Sequence, residues 1–379
     1  MQLEAGSDIK IPFLDLEKQY QSIKPEIDGA IQKILDTASF VKGKTVLDFE
    51  QAFAEYVGAK YCIGVGNGTD ALTIALRAVG IGMGDEVITV PNTFIATIEA
   101  IASVGATPVL VDINFDNYTI NPDDIVEAIT ERTKAIMPVH LYGMPCDMEP
   151  IINIAEKYKL KIICDGAQAH GARYNGSPLG MYGEATTYSF YPGKNLGAYG
   201  DGGAIVTNNK DLACTSRMLA DHGRVDKYVH QFYGYNSRLD AIQAAILNVK
   251  LKYLDNWNQR RKEIAKIYSK ELSGIKYINC PIVPDYADPI WHLYVIQAFN
   301  RDELQAHLKS HNIQTGIHYP VPVSEQPAAH GVRVMCNRTK INDMAQKLLS
   351  LPMCPEMTDE MVYYVTNRIK QFYKKEKED

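Results

Sequence analysis

The chain carries no excess of positive charge. Over 379 residues its formal net charge is −6, which leaves no basic stripe of the kind that nucleic acid or an anionic membrane requires. Neither partner is expected, although a local cationic pocket for a small anion stays compatible with this balance. No apolar run approaches ~18 residues and no charged-then-apolar leader opens the sequence, so neither a membrane span nor secretion is indicated and the cytoplasm is the expected compartment. The seven cysteines are an odd number. They lie far apart with no C-x-x-C pair, which argues against a disulfide framework and against a zinc knuckle. His307 and His311 have the i,i+4 spacing of a zinc pair, but no glutamate stands between them and no third ligand is evident, so no metal is expected. Internal repeats and low-complexity tracts are also lacking.

What is present is an alternation. Tyr61–Val65 reads as a short buried strand, Gly66–Asp70 as a turn and Ala71–Val79 as a helix. Glu86–Val90 and Thr107–Val111 repeat the strand pattern, and helices are expected over Thr93–Val104 and Pro122–Thr130. Ala135–Val139, Lys161–Cys164 and Ala204–Thr207 are further apolar runs. Short strands alternating with helices of about ten residues imply an α/β layer, its mostly parallel sheet covered on both faces. The length suggests ~2–3 domains. We divide the chain into a large α/β domain over 1–252, with an N-terminal arm over 1–40, and a smaller α+β domain over 253–379. Within the latter Trp291–Phe299 and Ile313–Tyr319 read as strands, and Arg301–His311 and Asp359–Lys374 as helices. Residues 1–10 read as a loose terminus and the last few as a frayed tail.

Gly66–Asp70, Thr93–Phe94, His140–Tyr142 and Asp165–Gln168 each follow an expected strand, at the carboxyl end where ligands gather in such sheets, so one cleft could collect them all. Lys194 sits in Ser189-Phe-Tyr-Pro-Gly-Lys-Asn-Leu-Gly-Ala-Tyr-Gly-Asp-Gly-Gly203, a glycine-rich setting that a surface lysine does not need. Asp165-Gly-Ala-Gln168 follows an apolar strand; its carboxylate could cap a helix or hold a ring nitrogen protonated. Gly64-Val-Gly-Asn-Gly-Thr69-Asp70 opens a helix whose free amides and dipole make an anion site, unless Thr69 or Asp70 is merely its cap. Its glycines resemble a dinucleotide fingerprint, with Glu86 near the place of the ribose-binding acid. However, Thr69 stands where the third glycine belongs, and a nicotinamide oxidoreductase leaves Asp165 and Lys194 unexplained. An anion site, an acid for a ring nitrogen and an available lysine are together the needs of pyridoxal phosphate.

Cys164-Asp-Gly-Ala-Gln-Ala-His-Gly171, the Ser189–Gly203 stretch, Gly66-Asn-Gly-Thr-Asp-Ala-Leu72 and Gly234-Tyr-Asn-Ser-Arg-Leu-Asp240 closely resemble the nucleotide-sugar aminotransferases of the DegT/DnrJ/EryC1/StrS family. The resemblance runs from Ile11 nearly to the end. It implies the fold-type-I aminotransferase architecture and a homodimer with shared active sites. By the same resemblance Lys194 would tether pyridoxal 5'-phosphate as a Schiff base and Asp165 would pair with the pyridine nitrogen. Gln168 would reach the ring hydroxyl, and Phe94 would cover a ring face. Gly68, Thr69 and Ser189 would hold the phosphate, joined by Asn236 from the partner subunit.

The expected reaction is a ping-pong transfer through pyridoxamine phosphate, with L-glutamate, or alternatively glutamine, as donor and a nucleotide-linked keto-sugar as acceptor. Lys194 would serve as tether and then as base, its amine made less basic by burial and cationic neighbours. Tyr191, where many C4-aminating relatives carry histidine, points to C3 of a deoxythymidine-diphosphate-linked 3-keto-6-deoxyhexose; C4 amination is the alternative. Tyr191, Asn195, His318 and Tyr319 are the candidates for the sugar pocket. The related pattern often has a histidine near 324, where this chain has Val323-Ser-Glu-Gln-Pro. A cofactor-binding sensor without turnover is the rival from another class. Lys194 itself counts against the dehydratase relatives, which carry histidine in its place.

Overall fold

A computed structural model describes residues 10–375; the terminal stretches expected to be loose or frayed fall largely outside the described residues. The apolar runs assemble into one eight-stranded sheet. Its order is Tyr61–Val65, Gly203–Thr207, Ala185–Ser189, Lys161–Asp165, Thr133–Ile136, Glu86–Thr89, Thr107–Leu110 and Arg333–Val334. Gly203–Thr207 runs antiparallel to both of its neighbours, whereas every other pairing is parallel. The strands are short and almost wholly buried because helices cover both faces, which is why they read as continuous apolar runs rather than alternating ones. Ile63, Val65, Ile74 and Ile205 pack in the core on one face; Phe49, Phe53, Tyr188 and Phe190 form that on the other.

A second sheet of three antiparallel strands, Ile278–Asn279, Tyr294–Ala298 and Leu348–Leu351, lies in the C-terminal part. Helices Leu254–Leu272, Arg301–Ser310 and Asp359–Lys375 pack with it through Tyr268, Leu304, Leu308, Val365 and Ile369. Residue 252 falls between helices Ala241–Leu251 and Leu254–Leu272. Contacts nonetheless cross that point: Arg333–Val334 pairs with Thr107–Leu110 of the large sheet, and Ile11 from the arm is buried among the C-terminal core residues.

Several elements differ from the expected ones. The arm, in which a helix is expected from about Lys24 to Asp36, starts that helix earlier, at Leu16, because Asp15 caps it by accepting from the Lys18 amide, and the helix runs to Thr37. Ile313–Tyr319 is not a strand; only isolated bridges, Ile313 to Ile11 and Gly316 to Ser350, hold it. Pro122–Ala128 breaks into a 3-10 turn and one short helical turn. Ala185–Ser189 is a full strand whose Thr-rich wording hides its burial.

Candidate active site

The carboxyl ends of four parallel strands and the start of one helix converge on a cavity of about 840 Å³. Lys194 enters from the turn after Ala185–Ser189. Asp165 closes its own strand and is buried, its Oδ2 accepting from the Thr97 hydroxyl at 2.9 Å and its Oδ1 from the Ala167 amide at 3.1 Å. Thr97 is itself fixed by the Thr93 hydroxyl at 2.8 Å. Among the described residues no guanidinium faces this carboxylate. Burial therefore raises its pKa above the ordinary value, although the two hydrogen bonds and the charge of Lys194 oppose the rise.

Lys194 is exposed mainly to the cavity itself. Burial lowers the pKa of its amine to about 8, against the opposing pull of Asp165. The expectation of cationic neighbours is corrected here: desolvation lowers the pKa, and the charge that most affects Lys194 is an anion. Far more of this amine is therefore neutral at pH 7 than in a free lysine.

The helix Gly68–Ala78 aims its first turn into the same cavity. Asn67, rather than Thr69 or Asp70, is the cap, its Oδ1 accepting from the Asp70 amide at 2.8 Å. The Gly68 and Thr69 amides are left for a ligand. Gly68 is required by packing: a Cβ there would lie 2.6 Å from that of Ser189. Gly203 permits the same closeness, since its own Cβ would stand 2.3 Å from the Asn67 carbonyl. A cradle of backbone amides beside the Ser189 hydroxyl, a buried carboxylate and a lysine of lowered basicity fit the phosphate, ring nitrogen and carbonyl carbon of pyridoxal phosphate.

Known proteins resemble this chain over nearly its whole length. Residues 21–370 match the model of the DegT/DnrJ/EryC1/StrS aminotransferase family. The chain belongs to that family. Its cofactor is pyridoxal phosphate, and the fold is that of the family's aminotransferases. The chain is 49% identical over 362 residues to the dTDP-3-amino-3,6-dideoxy-alpha-D-galactopyranose transaminase of Aneurinibacillus thermoaerophilus, covering 96% of this chain and 99% of that one. It is 45% identical over 369 residues to a protein of Geobacillus stearothermophilus named as a pleiotropic regulatory protein, covering 97% and 99%. Among solved structures, S. venezuelae DesV in complex with a ketimine intermediate superposes with a TM-score of 0.93 at 42% identity, covering 96% of this chain and 98% of that one.

Within this aminotransferase fold Gly68, Thr69, Phe94, Asp165, Gln168, Ser189, Tyr191, Lys194, His318 and Tyr319 all line the one cavity. Gln168 is oriented by the Tyr142 amide, which donates to its Oε1 at 2.6 Å, and its Nε2 donates to the Tyr319 hydroxyl at 3.3 Å. The Phe94 and Tyr319 rings meet at 5.8 Å. Tyr191 is 61% exposed at the mouth. Asn195 requires correction: it is buried behind the cavity and does not line it, because its amide is consumed by Asn258, Ile290 and His292. Asn236 is exposed outside its own chain's cavity, bridged to Asp221 and accepting from Arg238. Ser324 is buried and does not line the cavity.

Glu86 lies at the opposite end of its strand from the cavity, bound by Arg132, Arg333, Thr130 and Thr133. It cannot serve a dinucleotide ribose. Sequence reasoning missed Phe13 and Leu14, which bring the arm to the cavity wall, Phe13 stacking on His318 at 5.8 Å. It also missed His292 on the lining, whereas His140 lies there as its place after a strand led us to expect. The apolar Ile11-Pro-Phe-Leu run was the available signal for the arm; for His292, a single residue in an apolar strand-like run, there was none.

Proposed function

We propose that this aminotransferase moves an amino group from L-glutamate to C3 of a deoxythymidine-diphosphate-linked 3-keto-6-deoxyhexose. The observation that carries the reading is the pairing of buried Asp165 with the weakened base Lys194 across a cavity floored by the Gly68–Thr69 amides. The Aneurinibacillus relative, a 3-amino-sugar transaminase by name, supports C3, as does Tyr191 at the mouth. The enzyme works as a homodimer in the cytoplasm. All seven of its cysteines are free, and among the described residues no helix is long and apolar enough to cross a membrane.

When bound, pyridoxal phosphate supplies the carbonyl that condenses with amines and the ring that accepts an electron pair. Gly68, Thr69 and Ser189 hold the phosphate by amide and hydroxyl donors, and Asn236 of the second subunit completes that cradle. Asp165 keeps a proton on the ring nitrogen; Thr97 and Ala167 hold its two oxygens so that the carboxylate cannot swing away. Gln168 donates toward the ring oxygen, and Phe94 covers one ring face. The neutral fraction of Lys194 takes a proton from the amino-bearing carbon, and its ammonium form returns one on the far side of the transfer. His318, Tyr319 and Tyr191 form the sugar side of the cavity.

The test is a visible spectrum of the purified protein, followed by addition of glutamate and then of candidate keto-sugar nucleotides. A yellow band trapped by borohydride and bleached by glutamate is expected, and Lys194→Arg should lose the borohydride-sensitive band. A colourless protein, or trapping retained in Lys194→Arg, would sink the reading. The name of the Geobacillus relative favours one second reading, a cofactor-binding regulator. That protein would keep the colour yet fail to turn over with any keto-sugar.

A further inference from the structure

Three buried histidines surround the catalytic lysine, and their ring nitrogens are treated differently. His170 has both nitrogens sealed from the cavity and from solvent. His140 accepts from the Cys146 amide at Nδ1, 3.0 Å, so its proton is on Nε2, which is sealed. His292 lines the cavity, its Nδ1 lies 3.1 Å from the Asn195 Oδ1, and its Nε2 has neither a protein partner nor a seal.

The direction of that hydrogen bond follows from two backbone carbonyls. Asn258 sits on the helix Leu254–Leu272, and its Nδ2 donates to the His170 carbonyl at 2.8 Å. A carbonyl only accepts, so the amide end of Asn258 faces it and its oxygen faces Asn195. Asn195 therefore turns its own NH2 to the Asn258 Oδ1 at 2.8 Å, and the same group reaches the Ile290 carbonyl at 3.2 Å. The oxygen of Asn195 is then what meets His292, and it can only accept. His292 must donate from Nδ1, which leaves Nε2 with a bare lone pair. The ring is also kept neutral: burial first, then the charges of Lys194, Arg261, His318 and His170, push its pKa well below the ordinary histidine value.

We propose that His292 accepts a hydrogen bond through Nε2 from an N–H or O–H group inside the catalytic cavity, with Asn195 and Asn258 as the positioning residues that set its tautomer. The donor is the freed amine of Lys194 or a hydroxyl of the substrate; both present the same chemistry to the ring. The inference rests on the transaminase reading of this cavity, but the tautomer itself does not depend on turnover.

The first measurement is nitrogen NMR of the unaltered holoenzyme with ring-labelled histidine, His292 being assigned through its backbone. A neutral ring with the proton on Nδ1 is expected, and Asn195→Ala should abolish this single-tautomer signature. A proton on Nε2, or a charged ring at neutral pH, overturns the proposal whatever the activity. The second measurement uses His292→Phe, which keeps ring volume and removes the acceptor. In protein loaded with pyridoxamine phosphate, the rate at which cyanate modifies Lys194 is followed against pH by mass spectrometry. A midpoint lowered by about half a pH unit identifies the lysine as donor, because a partner of its charged form has been lost. An unmoved midpoint, with KM for the sugar nucleotide raised about tenfold and kcat within about twofold, identifies a substrate hydroxyl. If neither moves, the proposal fails. Failure of the transaminase reading shows separately, as an unaltered protein that glutamate does not convert.

Discussion

Asp165 and Glu86 are two carboxylates buried in the same sheet, at opposite ends of neighbouring strand sets, and the chain treats them oppositely. Glu86 meets two guanidiniums and two threonine hydroxyls. Burial would raise its pKa, but the Thr130 hydrogen bond and the charges of Arg132 and Arg333 outweigh that and hold it below the ordinary value. Asp165 receives one hydroxyl and one amide and no arginine, so burial wins and its pKa rises. A buried charge that serves only the fold is neutralised in place. One left facing a cavity, with its second partner missing, is reserved for a group that arrives later. The sheet thus has a compensated edge and an uncompensated one.

The largest effects should follow from changing the uncompensated edge. Lys194→Ala is expected to lower kcat by about 10^3-fold or more, because tether and base are lost together. Asp165→Asn should lower kcat by about 10^2-fold or more. Its amide can keep both contacts, the oxygen accepting from the Ala167 amide and the NH2 donating to the Thr97 hydroxyl, which turns its own proton to Thr93, so the melting temperature should stay within a few degrees of the parent. Steady-state kinetics beside thermal unfolding distinguishes these cases. A large loss of stability in Asp165→Asn would mean that the carboxylate is structural after all and would dissolve the contrast.

Glu86→Ala should do the reverse, destabilising the fold by about 2–3 kcal/mol while sparing kcat in the protein that remains folded. The figure is smaller than for a sealed ion pair because Arg132 is 66% exposed and screened by solvent. The pH dependence has a definite sign. A carboxyl whose folded pKa lies below its unfolded one stabilises above the unfolded value and loses that contribution as pH falls through the folded one. Denaturant unfolding between pH 7 and pH 3 should therefore show a parent that weakens on acidification more than Glu86→Ala does.

How much of this was legible beforehand follows from the same contrast. Strands such as Tyr61–Val65 announce themselves because burial on both faces leaves only apolar residues. Lys194 and Asp165 were legible because close approach demands glycines around them. Asn195 was misplaced because sequence shows that an amide follows the lysine but not which way the turn points it; Ile290 and Asn258, far along the chain, decide that. His292 stayed hidden for the same reason. Its role depends on a relay among residues 170, 195, 258 and 292, and no local pattern encodes it. Ile313–Tyr319 had strand-like wording, yet Phe13 and Ser350 use its side chains and backbone for other contacts, His318 taking both.

The finest division lies between two lysines that meet at one loop, Lys194 within it and Lys250 beneath it. Lys250, on the helix Ala241–Leu251, is 1% exposed beneath the Lys194 turn, and burial lowers its pKa to about 8, as it does for Lys194. Its Nζ donates to the Gly197 carbonyl at 2.6 Å and lies 5.2 Å from the Tyr199 ring centroid and 5.9 Å from that of Trp257. Two turns earlier on the same helix, Gln243 grips Tyr199 through both its amide and its carbonyl. Lys194 is left free to react while Lys250 holds the loop that carries it. Lys250→Met, which keeps the length and removes the donor, should lower kcat about threefold to tenfold through a looser loop. A lysine whose folded pKa is depressed costs stability while it is charged in the folded protein, and that cost lessens as pH rises from about 8 toward the unfolded value. Lys250→Met should accordingly flatten the rise in unfolding free energy across that window, and a parent showing no such rise would remove the basis for treating the two lysines as electrostatic equals with different tasks.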